Sequence, residues 1–268
     1  MPELPEVETI VRDLNKFLLS KTISKVVVRD AFVLRTAAAE FIKRLKGQTV
    51  ENISRRGKAI VIGLASKDML VIQLMMTGQL VMHAAEDKHT RITFIFTDGS
   101  KLLYHDQRRF GQLRVVRHLH EINYFNILGP EPFSQEFTPR YMRESLKKTA
   151  RPIKNVLLDH TFVAGIGNIY ACEILFRSKV SPQRSACQIS AAKADIIHHQ
   201  IVDVLGEAIA HRGTSFRNYR DGSGQKGSFS QRLAVYGREG QPCPRCKALI
   251  QCISQASRST FYCARCQK

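Results

Sequence analysis

Two groups of residues in this chain have the types and spacing to do chemistry. The first is Cys243-Pro-Arg-Cys246, then sixteen residues, then Cys263-Ala-Arg-Cys266. Paired C-x2-C knuckles at that separation let four thiolates converge tetrahedrally on Zn²⁺, and the residues between them suit a β-hairpin. Four protein ligands leave no open coordination position, so the predicted ion is a single structural zinc. Cys252 lies inside the hairpin at the wrong spacing and is expected to be a bystander. Cys172 and Cys187 are expected to be packing residues.

The second group is the start of the chain, Met1-Pro2-Glu3-Leu4-Pro5-Glu6. Removal of Met1 would leave Pro2 with a free secondary amine. An α-amino group titrates near ~7.7–8.0, so at neutral pH part of it is unprotonated and nucleophilic. The positive end of a following helix disfavours its ammonium form further. Such an amine can attack an electrophilic carbon, expel a leaving group and form an iminium link. Glu3 is then placed to shuttle protons. With Met1 retained, Pro2 is an amide and has no such chemistry. Taken alone, Pro-Glu at a helix start reads as ordinary capping.

These groups need elements to position them. Val7, Ile10, Val11, Leu14, Phe17 and Leu18 repeat at three-and-four spacing, which predicts a helix with Pro5 in its first turn and Ser20 at its end. Short β-rich runs follow at 23–28, 59–64, 70–74, 92–96 and 112–116, and Asp98-Gly99 is a hairpin signal. An antiparallel sandwich led by one helix is the simplest packing of these pieces. Gly129-Pro130-Glu131-Pro132 breaks regular structure and marks a boundary. From Pro139 helical patterns dominate, ending in a long amphipathic run from Ala191 to His211 that stops at Gly213. The polar, glycine-containing stretch from Thr214 to Gln231 then has the texture of a functional lid or a disordered loop. The expected class is α+β in three segments: 1–130, a helix plus antiparallel β-sandwich; 137–236, a helical segment with its loop; and 237–268, the zinc hairpin.

The 268 residues include 41 Lys/Arg against 23 Asp/Glu, a formal net charge of +18. Four thiolates with their Zn²⁺ would lower it only to +16. Such an excess points to a polyanionic partner, with nucleic acid ahead of an anionic membrane surface. No apolar run approaches the ~20 residues of a membrane span. The acidic N-terminus has no apolar core, which excludes a secretory signal and predicts a cytosolic, reducing setting. From Gly240 to Lys268 there are five Lys/Arg and no Asp/Glu, so the zinc hairpin is itself a candidate nucleic-acid contact.

Across nearly its whole length the chain resembles the bacterial formamidopyrimidine-DNA glycosylases. The resemblance rests on the opening hexapeptide, on Ser54-Arg55-Arg56-Gly57-Lys58, and on Gln73-Leu74-Met75-Met76-Thr77-Gly78 with Arg108-Arg109-Phe110-Gly111. It rests further on Val163-Ala-Gly-Ile-Gly-Asn-Ile-Tyr170 within 154–176, and on Ser257-Arg-Ser-Thr-Phe-Tyr262 in the zinc hairpin.

The resemblance implies a helix–two-turn–helix element in the helical segment. It also implies an enzyme, cytoplasmic and nucleoid-associated, that acts on duplex DNA containing oxidised purines or abasic sites; nothing in the sequence demands more than a monomer. The implied reaction joins glycosylase and abasic-site lyase steps, with Pro2 as nucleophile, Glu3 as proton shuttle, Lys58 at the lesion phosphate and Arg258 in δ-elimination. Met76, Arg108 and Phe110 would fill the gap left by an extruded base. His89, Arg109, Arg151, Lys154, Asn168 and Tyr236 would contact the DNA backbone, with Asn168 as a favoured helix cap beside Gly165 and Gly167. Thr214, Ser215 and Arg217 would cover the purine, and Glu6 and Glu173 would support the site.

Gln73 stands where the family often has histidine, and Met75 where glycine is common. His105 and Gln107 replace an asparagine and a proline, and Ser257 replaces a glycine. These departures bear on the opposite-base preference and on void filling rather than on the reaction class. Two alternatives stay open: an endonuclease VIII-like enzyme for oxidised pyrimidines, and a non-catalytic zinc protein that binds damaged DNA.

Overall fold

The computed structural model describes residues 2–82, 84–215 and 219–268. The chain divides into two compact units: Met1–Asn126 with Ile209–Ser230, and Ile127–Ala208 with Gln231–Lys268.

The first unit opens on α1 (Leu4–Leu18), whose apolar stripe of Leu4, Val7, Ile10, Val11, Leu14 and Leu18 is buried. Pro5 sits in its first turn, where no N–H is needed. Ser20 follows its end in the left-handed region. Two four-stranded antiparallel sheets form the sandwich. One orders β1 (Ile23–Val28), β6 (Thr90–Phe96), β7 (Lys101–Asp106) and β5 (Gly78–Met82). The other orders β2 (Val50–Arg56), β3 (Ala59–Leu64), β4 (Met69–Gln73) and β8 (Gln112–Val116). α1, both inner sheet faces and Phe41 of α2 (Ala38–Leu45) share one core. α3 (Asn123–Asn126) closes the first run of this unit.

All five strands read from sequence are present, and three more complete the sheets. β2, Val-Glu-Asn-Ile-Ser-Arg-Arg, was hidden by its charges, although Val50 and Ile53 are buried at a spacing that a bulge near Asn52 accommodates. β5 and β7 carry the Met76 and Arg108 segments on their ends, and their short apolar runs gave weak periodicity. Asp98-Gly99 does connect β6 to β7, with Gly99 at φ +81°.

The second unit holds α4 (Pro139–Lys147), α5 (Ile153–Leu157), α6 (Asn168–Arg177) and most of α7 (Ala191–Ala210). It ends in the hairpin of β9 (Gln251–Gln255) and β10 (Arg258–Tyr262). α6 buries every residue from Ile169 through Phe176, Glu173 included, as a central helix should. Residues 209–230, read with the helical segment on sequence grounds, group with the first unit because Glu6 and Asp13 of α1 bind their backbone.

Candidate active site and nucleic-acid interface

Pro2 and Glu3 are buried at the head of α1, with Glu3 as N-cap. The Glu3 N–H donates to Glu6 Oε2 at 2.8 Å, and the Thr214 N–H donates to Glu6 Oε1 at 2.7 Å. One buried carboxylate therefore fixes both the N-terminal dipeptide and the base of the 213–228 segment. Gly213, at φ +78°, could carry no side chain there: a Cβ would lie 2.8 Å from Glu6 Oε1.

Lys58 stands in the two-residue turn between β2 and β3, half-buried, with Gly57 at φ +59° in the first central position. A primed hairpin turn asks for that conformation. Side-chain hydrogen bonds fasten this hairpin to α1. Arg55 Nε donates to Glu8 Oε2 at 3.1 Å, and Asn15 Nδ2 donates to the Ile53 carbonyl at 2.8 Å. A second Arg55 nitrogen donates to the Gly57 carbonyl at 2.8 Å, bracing the turn itself. Glu8 and Asn15 were not singled out from sequence, and Arg55 only as a member of the Ser54–Lys58 block, without a role. Their pairing depends on β2 lying beside α1, which no local pattern announces.

Met76 and Phe110 are exposed, at 42% and 47%, which an apolar wedge requires and a core residue would not show. Arg108 lies over the Phe110 ring at 4.5 Å. Arg109 adopts φ +59°, 3.7 Å from Asp30 and over the Phe32 ring at 5.4 Å. His89 is half-buried, its backbone N–H donating to Asp87 Oδ1 at 2.8 Å.

Thr214 is buried and bridges to Ser228, whereas Ser215 Oγ accepts from the Gly227 N–H and donates to the Tyr219 carbonyl. Arg217 lies outside the described residues. Asp13 and Asp221, both buried, clamp Arg212 at 2.5 and 2.7 Å and also accept loop N–H groups. Sequence alone does not reveal this clamp, because its members lie 199 and 9 residues apart.

In the second unit Lys154 is fully buried. Its ammonium donates to Asn168 Oδ1 at 2.7 Å, Thr260 Oγ1 at 2.5 Å and the Ser259 carbonyl at 3.4 Å. Asn168 Nδ2 donates to that same carbonyl at 2.9 Å. The N-cap of α6 is Gly167, and Asn168 is the first helical residue with its side chain turned to Lys154. That corrects the capping role expected of Asn168. Arg151 pairs with Asp159 at 2.8 Å. Glu173 accepts the N–H groups of Ala234, Val235 and Tyr236 at 2.9–3.0 Å, fixing the backbone of Tyr236. Burial pushes its carboxyl above the usual range, against the pull of those donors.

The four cysteine sulfurs lie within 4.8 Å of one another, with Cys243–Cys266 at 3.9 Å and Cys246–Cys263 at 3.5 Å. Four sulfurs about 2.3 Å from one Zn²⁺ would be about 3.8 Å apart, so the residues fit that ion. Cys172 packs in the adjoining core as expected. Cys187 is exposed instead, beside Ser185. Arg258 is exposed at the start of β10, after a turn in which Ala256 and Ser257 both have positive φ.

Three family models match the chain in series. They are the formamidopyrimidine-DNA glycosylase N-terminal domain over residues 1–113, the H2TH domain over 128–219, and the zinc finger found in FPG and IleRS over 240–268. Sandwich, helix–two-turn–helix and four-cysteine hairpin in that order define a class of DNA glycosylases. The formamidopyrimidine-DNA glycosylase of Bacillus cereus is 42% identical over 274 residues, covering 100% of this chain and 99% of that protein. The Thermus thermophilus MutM (Fpg) structure superposes with a TM-score of 0.92 at 39% identity, covering 99% of this chain and 98% of that one. Lactococcus lactis Fpg in complex with an abasic-site DNA superposes with 0.93 at 35% identity, covering 99% of each. The chain belongs to the formamidopyrimidine-DNA glycosylase family.

Proposed function

We propose that this chain excises oxidised purines, 8-oxoguanine and formamidopyrimidines, from duplex DNA and then cuts the strand at the abasic site. The observation that carries the reading is Pro2 with Glu3 at the head of α1, fastened through Glu8 and Asn15 to the hairpin that bears Lys58. With Met1 removed, the Pro2 amine attacks C1′. The N–C1′ bond forms, the glycosidic bond breaks, and the base leaves with a proton. Glu3 moves the proton that opens the sugar ring to the iminium. Lys58, at the lesion phosphate, assists β-elimination, in which the C2′ proton and the 3′ phosphate depart. Arg258 serves the following δ-elimination.

Met76, Arg108 and Phe110 hold the gap in the stack, and Thr214, Ser215 and Arg217 cover the extruded purine. His89, Arg109, Arg151 and Tyr236 contact phosphates, while Lys154 lends positive potential beneath Asn168. Each of these groups comes from the one chain, so the reading requires no second copy.

Borohydride trapping on an 8-oxoguanine duplex tests this, with intact-mass analysis of the protein beforehand. The expected result is a covalent adduct mapping to Pro2 on a chain lacking Met1. Met1-free, zinc-loaded protein that binds the duplex and yields no adduct would make this a damage reader instead. Faster release of thymine glycol than of 8-oxoguanine would move the substrate range to oxidised pyrimidines.

A further inference from the structure

Asp106 ends β7, completely buried, two residues before Arg108 of the segment that carries Phe110. Its Oδ1 accepts the Thr77 hydroxyl at 2.5 Å and the Arg108 N–H at 3.2 Å, and its Oδ2 accepts the Gly111 N–H at 2.8 Å. The Tyr104 hydroxyl completes the set on Oδ2 at 3.2 Å. Burial and the neighbouring carboxylate push the Tyr104 phenol far up, so it stays a donor. Thr77 Oγ1 also accepts the Arg108 N–H, at 3.0 Å, closing a ring of bonds between the Met76 turn and the Arg108–Phe110 segment.

The backbone of Asp106 extends the knot. Its N–H donates to the His89 carbonyl at 3.0 Å, and its carbonyl accepts from Arg91 Nε at 2.9 Å. No slack remains around it. A Cβ on Gly111 would fall 1.6 Å from the Tyr104 hydroxyl, and one on Gly78 would fall 2.5 Å from the Leu74 carbonyl. Two residues flanking the wedge, Met75 and Arg109, are held in the left-handed region at φ +51° and +59°. Such conformations persist only where the surroundings over-determine them.

We infer that Asp106 is the positioning residue of the void-filling wedge, locking the Met76 turn and the Arg108–Phe110 segment into one rigid unit. Asp106 touches no DNA in this role and acts through Thr77, Arg108 and Gly111. The inference rests on the proposed glycosylase reading, because only extrusion of a paired base needs a wedge.

Variants T77V, T77S and D106N separate this role from general support of the fold. Each is assayed on a duplex with 8-oxoguanine opposite cytosine, and on the same duplex with a preformed abasic site, which has no base to extrude. The expected outcome for T77V and D106N is excision kcat/KM lower by about tenfold or more, with abasic-site cleavage changed by less than about threefold. T77S, which keeps the hydroxyl, restores excision. A 2-aminopurine placed beside the lesion should brighten on binding wild type and T77S, and fail to brighten with T77V. Equal loss of both reactions, or no loss of either in T77V, overturns the positioning role. T77V is decisive even where D106N fails to fold. Wild type that cleaves abasic sites yet excises no 8-oxoguanine would overturn the glycosylase reading itself, and this role with it.

Discussion

The Lys154 ammonium donates to the Thr260 hydroxyl at 2.5 Å with no part of the lysine exposed. A cation that the sequence offered as a phosphate contact is enclosed between α5, the start of α6 and strand β10 of the zinc hairpin. Among the oxygens that answer its charge are Asn168 Oδ1, the Ser259 carbonyl and Thr260 Oγ1.

Lys154→Met should therefore act on the hairpin first. Removal of the ammonium leaves Asn168 Oδ1 and Thr260 Oγ1 without their donor, a loss of about 2 kcal/mol or more. Zinc release to a chelator should quicken, and the thermal midpoint should fall. The slope of log affinity against log salt should change by less than one, whereas the exposed Arg109→Ala should lower it by about one. Equal slopes for the two variants would show that Lys154 meets phosphate directly.

Glu6 is a second buried side chain that ties distant parts, and its two oxygens divide the labour. Glu6→Ala should cost about 3 kcal/mol, because two N–H donors at charged-acceptor distance lose their partner. Glu6→Gln should recover part of this, since its one remaining oxygen can serve either Glu3 or Thr214. A calorimetric ranking of wild type above Gln above Ala checks the expectation, and Ala matching wild type would contradict it.

The turn before Arg258 gives the third test. Gln255 pairs with Arg258, and both residues between them, Ala256 and Ser257, have positive φ, at 50° and 57°. That is the primed geometry two-residue hairpins favour, made here from residues for which it costs about 1 kcal/mol each. Ser257→Gly removes the strain at one position but frees the unfolded chain, for a net gain of about 0.5 kcal/mol. Amide exchange across 251–262 should slow in that variant. Faster exchange would mean that the serine side chain supports the turn.

Legibility from sequence followed the range of the interaction. The α1 stripe, the C-x2-C knuckles and the Asp98-Gly99 turn are local patterns, and each appears where its spacing placed it. Family resemblance supplied Met76 and Phe110, and their exposure agrees with a wedge. Asp106 lies unmarked between two residues that stand out as departures, His105 and Gln107. A lone aspartate has no periodicity, and its partners Thr77 and Gly111 become neighbours only when β5 and β8 flank it. The Asp13–Arg212–Asp221 clamp was invisible for the same reason, as was the burial of Lys154.

Asp68 offers a pH-dependent test away from the candidate site. Arg44 of α2 grips both its oxygens, at 2.9 and 3.1 Å, and donates to the Val115 carbonyl at 3.0 Å. The hydrogen bond from Arg44 holds the Asp68 carboxyl below its ordinary value of 3.8, outweighing the opposing effect of burial. A carboxyl depressed in the folded state stabilises it at every pH above the unfolded value, and loses that contribution as pH falls through the folded one. Since the pair is partly open to solvent, the contribution is about 1 kcal/mol after screening. Asp68→Asn should then be less stable than wild type by about that much in urea at pH 7. The gap should hold down to about pH 4 and close progressively below it. A gap that stays constant through the acid range would assign the contribution to packing of Arg44 against β8 rather than to charge.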